Sequence, residues 1–171
     1  MSGEIHDEHP FATPMELRDP VRRFRGRLAA PVTIVTAGDE SSPTGLTISS
    51  LIVAEGEPSF VHFLCGTATD LWYAIEEHGR FVVHILEDDH RELSDRFAGI
   101  RPSPGGLFAG LDHRMTDYGP AITALRSRAY CRYEDRRDDP QHALVHGVID
   151  RVELHDLRDP LRYFRGEYFT G

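Results

Sequence analysis

Gly45-Leu46-Thr47-Ile48-Ser49-Ser50, running straight into Leu51-Ile52-Val53, decides how this chain is read. Side chains two apart on a strand share a face. Thr47, Ser49 and Leu51 therefore point one way, and Ile48, Ser50 and Ile52 the other. Three hydroxyls at the start of an otherwise apolar strand, next to bare backbone N–H groups, suit a ligand rich in hydrogen-bond acceptors. The same six residues also suit an ordinary strand end, with Thr and Ser present for β-propensity and turn chemistry. The flanking sequence decides between the two.

Outward from this stretch, strands and turns alternate. Val32-Thr33-Ile34-Val35-Thr36 is a β-branched strand. Gly38 to Gly45 is a turn-forming connection, so the opening stretch is expected to be the hairpin partner, over about Leu46 to Val53. Glu55-Gly56-Glu57-Pro58 breaks it. Phe60-Val61-His62-Phe63-Leu64-Cys65 is apolar on both faces and reads as an interior strand. Leu71 to His78 is a short helix with Thr67 or Thr69 at its N-cap and Gly79 at its end. Its N-terminus beside a strand is a candidate anion site; Asp70 opposes an anion there, and the plain alternative is that Thr67 or Thr69 simply caps the helix. Phe81 to Leu86 is a strand, Asp88 to Phe97 a short helix, and residues 100–106 a loop. Strands are expected from near Ala124 through Tyr133 and from Ala143 to about Leu154, and Tyr163 to Phe169 closes the chain. Many short strands with few helices predict a mainly β fold, a barrel with attached helices.

Toward the N-terminus, Pro14 begins a helix that continues to Leu28 and is split by Pro20. Its arginines, Arg18, Arg22, Arg23, Arg25 and Arg27, form a solvated face or a phosphate contact. Residues 1–13 are polar, acidic and rich in His and Pro, and read as a flexible arm; residues 14–171 read as one domain.

Composition removes several function classes. The net charge is −9, which argues against non-specific nucleic-acid binding. All 19 basic residues are Arg. Schiff-base, pyridoxal-phosphate and P-loop lysine chemistry are thereby excluded, and any phosphate must be met by Arg, hydroxyls or backbone N–H groups. No apolar run is long enough for a transmembrane helix and no secretory signal opens the chain, so a cytoplasmic location is expected. Cys65 and Cys131 each lie in an apolar, strand-like run and read as buried thiols. His142 and His146 share a strand face ~13 Å apart, too far to chelate one ion. If their strands pair, His62 and His84 approach one another as a hydrogen-bonded interior pair or as two ligands of a metal site, where zinc would want more.

Taken in order, the pieces resemble the flavin reductase-like family, the split-barrel flavin-binding proteins that include reductase components of two-component flavin monooxygenases. The resemblance rests on Pro31 to Thr36, Gly45 to Ser50, Gly79-Arg80-Phe81-Val82-Val83-His84-Ile85-Leu86, Leu93 to Gly99, Gln141 to Ile149, and Pro160 to Tyr168. It implies a six-stranded antiparallel split barrel, usually a homodimer with flavin near the subunit interface. It also implies hydride transfer from NADH or NADPH to FMN or FAD, with FMN the expected flavin and a monooxygenase the expected partner. By position, Thr47, Ile48, Ser49, Ser50 and Leu51 would line the flavin. Thr67 and Thr69 fall where the family handles phosphate, and Arg80 and Phe81 begin the strand that completes the pocket. His142 aligns with the family histidine near the nicotinamide, the one residue given a catalytic role, and Tyr163 aligns with an aromatic that helps hold the same nucleotide. Where the family has Gly-Asp before that histidine, this chain has Pro140-Gln141; where it has Asn in the central strand, this chain has His84. These departures keep a second reading open: a flavin-binding split-barrel protein whose nicotinamide site is lost or altered.

Overall fold

The computed structural model describes residues 19–138, 141–156 and 158–169. The expected arm at 1–13, the start of the first helix and Pro140 lie outside them. Helix α1 runs Pro20–Arg25, with Asp19 as N-cap accepting from the Arg22 N–H and Pro20 in the first turn, a start that proline tolerates. The strands of the main sheet are β2 (Thr33–Ala37), β3 (Thr44–Ile48), β4 (Ile52–Ala54), β5 (Phe60–Gly66), β6 (Arg80–Ile85), β9 (Arg128–Asp138) and β10 (His142–Glu153). The remaining strands are β1 (Ala30–Pro31), β7 (His113–Thr116), β8 (Gly119–Ile122), β11 (Arg162–Phe164) and β12 (Glu167–Phe169). Helices α2 (Asp70–His78) and α3 (Arg91–Phe97), the latter entered through a 3-10 turn at Asp88–His90, complete the order.

The main sheet is antiparallel throughout, in the order β3-β2-β6-β9-β10-β5-β4. Its two edge strands, β3 and β4, are separated in sequence by Ser49, Ser50 and Leu51 alone. A flat sheet of this width would hold its edges ~29 Å apart. The chain from Ile48 to Ile52 spans at most ~14 Å. The sheet therefore has to curl until its edges meet, which makes a barrel. Counting β3 and β4 as one interrupted strand gives the six strands expected. The seam is stitched at Ser50, whose Oγ accepts the Leu64 N–H at 3.0 Å. The single strand expected over Leu46 to Val53 is thus two half-strands on opposite edges, broken where the hydroxyls cluster.

Period-two alternation sorts the core. Val35, Phe63, Phe81 and Val145 meet inside the barrel, where Leu71, Trp72 and Ile75 of α2 also pack. Ile34, one residue from Val35, faces a second cluster with Leu86, Phe97, Ile122 and Leu161. Strand β2 is buried on both faces as a result. Helix α2 is closed at both ends as its sequence predicts, by the Thr69 cap and by Gly79 at φ +66°. Cys65 and Cys131 are free and buried, and burial pushes the Cys131 thiol up to about 12.

Two expectations are corrected. The strand expected from Ala124 starts at Arg128, and the β7–β8 hairpin was not foreseen. Pro120 within β8 reads as a strand breaker, and it is tolerated because the hairpin is a separate two-stranded sheet. His62 and His84 do not meet: β5 and β6 are not neighbours, and His84 pairs with Ile34 and Arg128.

His84 is fully buried instead. Its Nδ1 lies 3.1 Å from the Ile34 carbonyl, and its Nε2 accepts the Ile122 N–H at 3.1 Å. Both ring nitrogens of a neutral imidazole are therefore satisfied, and the ring ties β8 to the barrel. Burial lowers its pKa from 6.5 to about 3, against the Ile34 hydrogen bond that raises it. The unfolded chain takes up this proton near 6.5 and the folded chain only near 3. The neutral form's contribution is full above pH ~6.5 and falls by about 1.4 kcal/mol per pH unit below it. Chemical denaturation from pH 7 to 4 is expected to show a shallower stability loss in His84→Gln than in the parent chain. Parallel slopes would contradict this role.

Candidate functional site

The hydroxyl end of β3 opens into a cleft of about 150 Å³ between α1, α3 and the C-terminal hairpin. Thr47, Ser49, Arg25, Tyr163 and Tyr168 line it together with Val32, Ala98 and Ile100. Long-range pairing assembles it. Ala30 of β1 pairs with Tyr163 of β11, which pairs with Tyr168 of β12. The Arg165 N–H donates to the Gly26 carbonyl at 2.9 Å, fixing the end of α1 to the same hairpin.

The polar groups form a connected chain. Thr47 Oγ1 donates to the Ser94 carbonyl at 2.7 Å and holds α3 against β3. Ser94 Oγ lies 2.9 Å from Tyr168 Oη, which donates to Asp95 at 2.8 Å. Burial above all, with the Asp95 carboxylate adding to it and the Ser94 hydrogen bond opposing it, pushes the Tyr168 phenol up to about 12. Tyr168 is therefore a neutral donor at working pH. Arg25 Nη2 donates to Ser49 Oγ at 2.8 Å, and no carboxylate lies within ion-pair distance of Arg25 among the described residues. A guanidinium beside hydroxyls and aromatic faces, with no anionic partner of its own, suits a planar, acceptor-rich or anionic ligand.

The other expected residues lie along the seam. Ser50 is bonded to Leu64, two residues before Gly66, and Gly66 is directly opposite His142 on β10. The Thr67 N–H donates to the Gln141 carbonyl at 3.4 Å, so Thr67 and His142 share one end of the barrel. Thr69 Oγ1 donates to the Gly66 carbonyl at 2.8 Å and accepts the Trp72 N–H at 3.2 Å. Capping thus occupies its proton and leaves a ligand only a lone pair. A second cleft of about 320 Å³, which includes Gly45, Leu46, Thr69 and Gly99, shares Ala98 with the first. The two clefts therefore flank the Thr44–Ser49 segment as neighbours.

Four expected residues stand elsewhere. Ile48 is buried in the barrel core, where its carbonyl accepts from Thr33 Oγ1 at 2.8 Å. Leu51 packs half-buried on the same core. Phe81 is wholly buried, edge-on to Phe63 at 5.5 Å. Arg80 lies over the Tyr118 ring at 5.4 Å. Thr47 is in register with Ile34, which is in register with His84, four residues along β6 from Arg80. That separation is ~13 Å. Arg25 and Tyr168, in turn, were not singled out from sequence: the arginine run named Arg25 among five, and nothing local joined it to Ser49.

The family model for the flavin reductase like domain matches residues 25–171. The chain belongs to the flavin reductase-like family. Among curated relatives, the reductase subunit HsaB of a flavin-dependent monooxygenase from Rhodococcus jostii is 34% identical over 166 residues, 94% of this chain and 82% of that protein. The NADH-dependent FMN reductase SmoA of Agrobacterium fabrum is 29% identical over 166 residues, 96% of this chain and 92% of that protein. Among solved structures, nitrilotriacetate monooxygenase component B from Mycobacterium thermoresistibile superposes with a TM-score of 0.79 at 33% identity, covering 88% of this chain and 84% of that one. The family's split barrel is the architecture described above, closed at the Ser49–Leu51 break.

Proposed function

We propose that this protein is an NAD(P)H:flavin oxidoreductase that supplies reduced flavin to a partner monooxygenase. The observation that carries the reading is the convergence of Thr47, Ser49, Arg25, Tyr163 and Tyr168 on one cleft at the barrel seam. Arg25 and Ser49 have protons to offer there, while Thr47 and Tyr168, whose protons go to Ser94 and Asp95, offer lone pairs; a flavin brings carbonyl and ring-nitrogen acceptors, a ring N–H and a phosphate tail to such a set. Bound flavin supplies the hydride acceptor, with NADH or NADPH as donor and FMN or FAD as the flavin. The chain's own part is to bind and orient. The Ser49 and Ser50 hydroxyls and the seam backbone fix the ring, and Thr67 with the first turn of α2 receives a phosphate. His142 and Tyr163 hold the nicotinamide nucleotide against it, and donors aimed at the ring favour its reduced, more negative form.

Two features support a homodimer. Ligand sites ordinarily enclose ~300–1,000 Å³, and a cleft of about 150 Å³ is too small to bury a flavin unaided. Val21, Phe24 and Leu28 beside it are each more than half exposed, an apolar margin that a second copy would cover. The monooxygenase partner is supported by the names of several relatives, which are reductase subunits or components of monooxygenases.

Flavin fluorescence titration tests the site. Arg25→Ala is expected to weaken FMN or FAD binding about tenfold, close to 1.4 kcal/mol. Binding that is unchanged in both Arg25→Ala and Ser49→Ala would remove this cleft from the flavin site.

A further inference from the structure

We propose that His62 and His146 form a binding site for a divalent transition-metal ion on the outer face of the barrel, with Asp135 as the positioning residue. Val61, Phe63 and Cys65 are core residues, so His62 between them points outward. Ala143 and Val145 place His146 on the same outer face. The two histidines are directly opposite one another in the β5–β10 register. Their rings are stacked with centroids 4.7 Å apart and an interplanar angle of 18°.

The neighbouring strand prepares one ring. The β9–β10 ladder shifts register between His146 and Gly147, leaving Glu134 as the extra residue and setting Asp135 opposite His146. His146 Nδ1 lies 3.1 Å from Asp135 Oδ1. A carboxylate only accepts, so Nδ1 carries the proton and the Nε2 lone pair is left open. That Nε2 is shielded from solvent beside Phe60 and His62 and has no hydrogen-bond partner among the described residues. Among the described residues His62 makes no hydrogen bond or ion pair, and its contact is the ring stack. Carboxylate–imidazole–metal relays use this arrangement, with the carboxylate fixing the tautomer. A modest inclination of the two rings lets both bind one ion at ~2.1 Å, with solvent completing the shell. Imidazole donors favour Zn²⁺, Ni²⁺ or Cu²⁺ over Mg²⁺ and Ca²⁺.

The other cluster of suitable residues lacks these properties. Arg158 already pairs with Glu87 at 3.0 Å and Asp89 at 3.2 Å. His90 Nδ1 accepts the Glu87 N–H at 3.0 Å, so its neutral ring keeps the proton on Nε2.

The test uses the full chain without an affinity tag, stripped with chelator and titrated calorimetrically with Zn²⁺ and Ni²⁺. One ion per chain is expected. His62→Ala and His146→Ala should each weaken binding about tenfold or more, and Asp135→Asn about tenfold, without lowering the metal-free melting temperature. His62→Gln and His146→Gln repeat the measurement with side chains of similar bulk, should either alanine variant misfold. Joint replacement of His6 and His9, and separately His90→Ala, should leave binding intact. The proposal is overturned if no saturable binding occurs, if binding survives loss of both His62 and His146, or if it follows His6, His9 or His90.

Discussion

Gly45→Val is expected to weaken flavin binding at least tenfold and to lower the melting temperature by several degrees. A Cβ at Gly45 would lie 2.8 Å from Phe97 Cε1 and 2.9 Å from the Val35 carbonyl oxygen. The carbonyl belongs to the adjacent barrel strand and cannot withdraw without breaking the β2–β3 ladder. Phe97 is 1% exposed and edge-on to Phe108 at 5.4 Å, so it too has nowhere to turn. Helix α3 must move instead. Overpacking of this kind costs about 1–3 kcal/mol, or roughly 2–10 °C in a chain of this size. The movement carries Ala98, which borders both clefts, and strains the Thr47–Ser94 hydrogen bond. Thermal melts and flavin fluorescence titration check both effects. Parent-like flavin affinity in a folded Gly45→Val protein would show that the position of α3 does not control the site.

His142→Ala is expected to lower kcat/KM for NADH or NADPH about 30- to 100-fold, while the flavin dissociation constant stays within about twofold. This corresponds to about 2–2.7 kcal/mol of lost transition-state binding. The asymmetry follows from the proposed roles: the flavin ring rests against Arg25 and Ser49 and its phosphate against Thr67, whereas His142, opposite Gly66, is assigned to the nicotinamide. His155→Ala, on the exposed segment after β10, serves as the control and should leave turnover unchanged. Equal loss of flavin and nicotinamide binding in His142→Ala would place His142 against the flavin itself. Undiminished turnover would favour the reading in which the chain has no working nicotinamide site at His142.

Local chemistry made most of the barrel legible. The runs Val32–Thr36 and Ala143 to about Leu154 became β2 and β10 with end shifts of one residue, because apolar strands buried on a curled sheet leave little choice of register. Thr69 and Gly79 marked the ends of α2 because capping is a local event. The seam was only half legible. The hydroxyls of Ser49 and Ser50 were conspicuous, but sequence cannot say that a strand leaves one sheet edge and joins the other; that depends on closure of the whole sheet. The candidate cleft was legible in part, since Thr47 on β3 and Ser49 in the break after it were both singled out and both line it. It was hidden where distant segments supply it. Arg25 reaches Ser49 only because β1 pairs with β11, and Tyr168 reaches Ser94 only through the final hairpin. Ile48 and Phe81 illustrate the opposite limit: a motif places the backbone, and alternation then turns these side chains into the core.

Mixing the purified protein anaerobically with FMN or FAD, then with NADH or NADPH, and following the flavin's visible absorbance tests the central claim most directly. Rapid bleaching at a rate proportional to protein, with stoichiometric oxidation of the nicotinamide, is the predicted result. Flavin that binds but keeps its colour with both nucleotides would contradict the account.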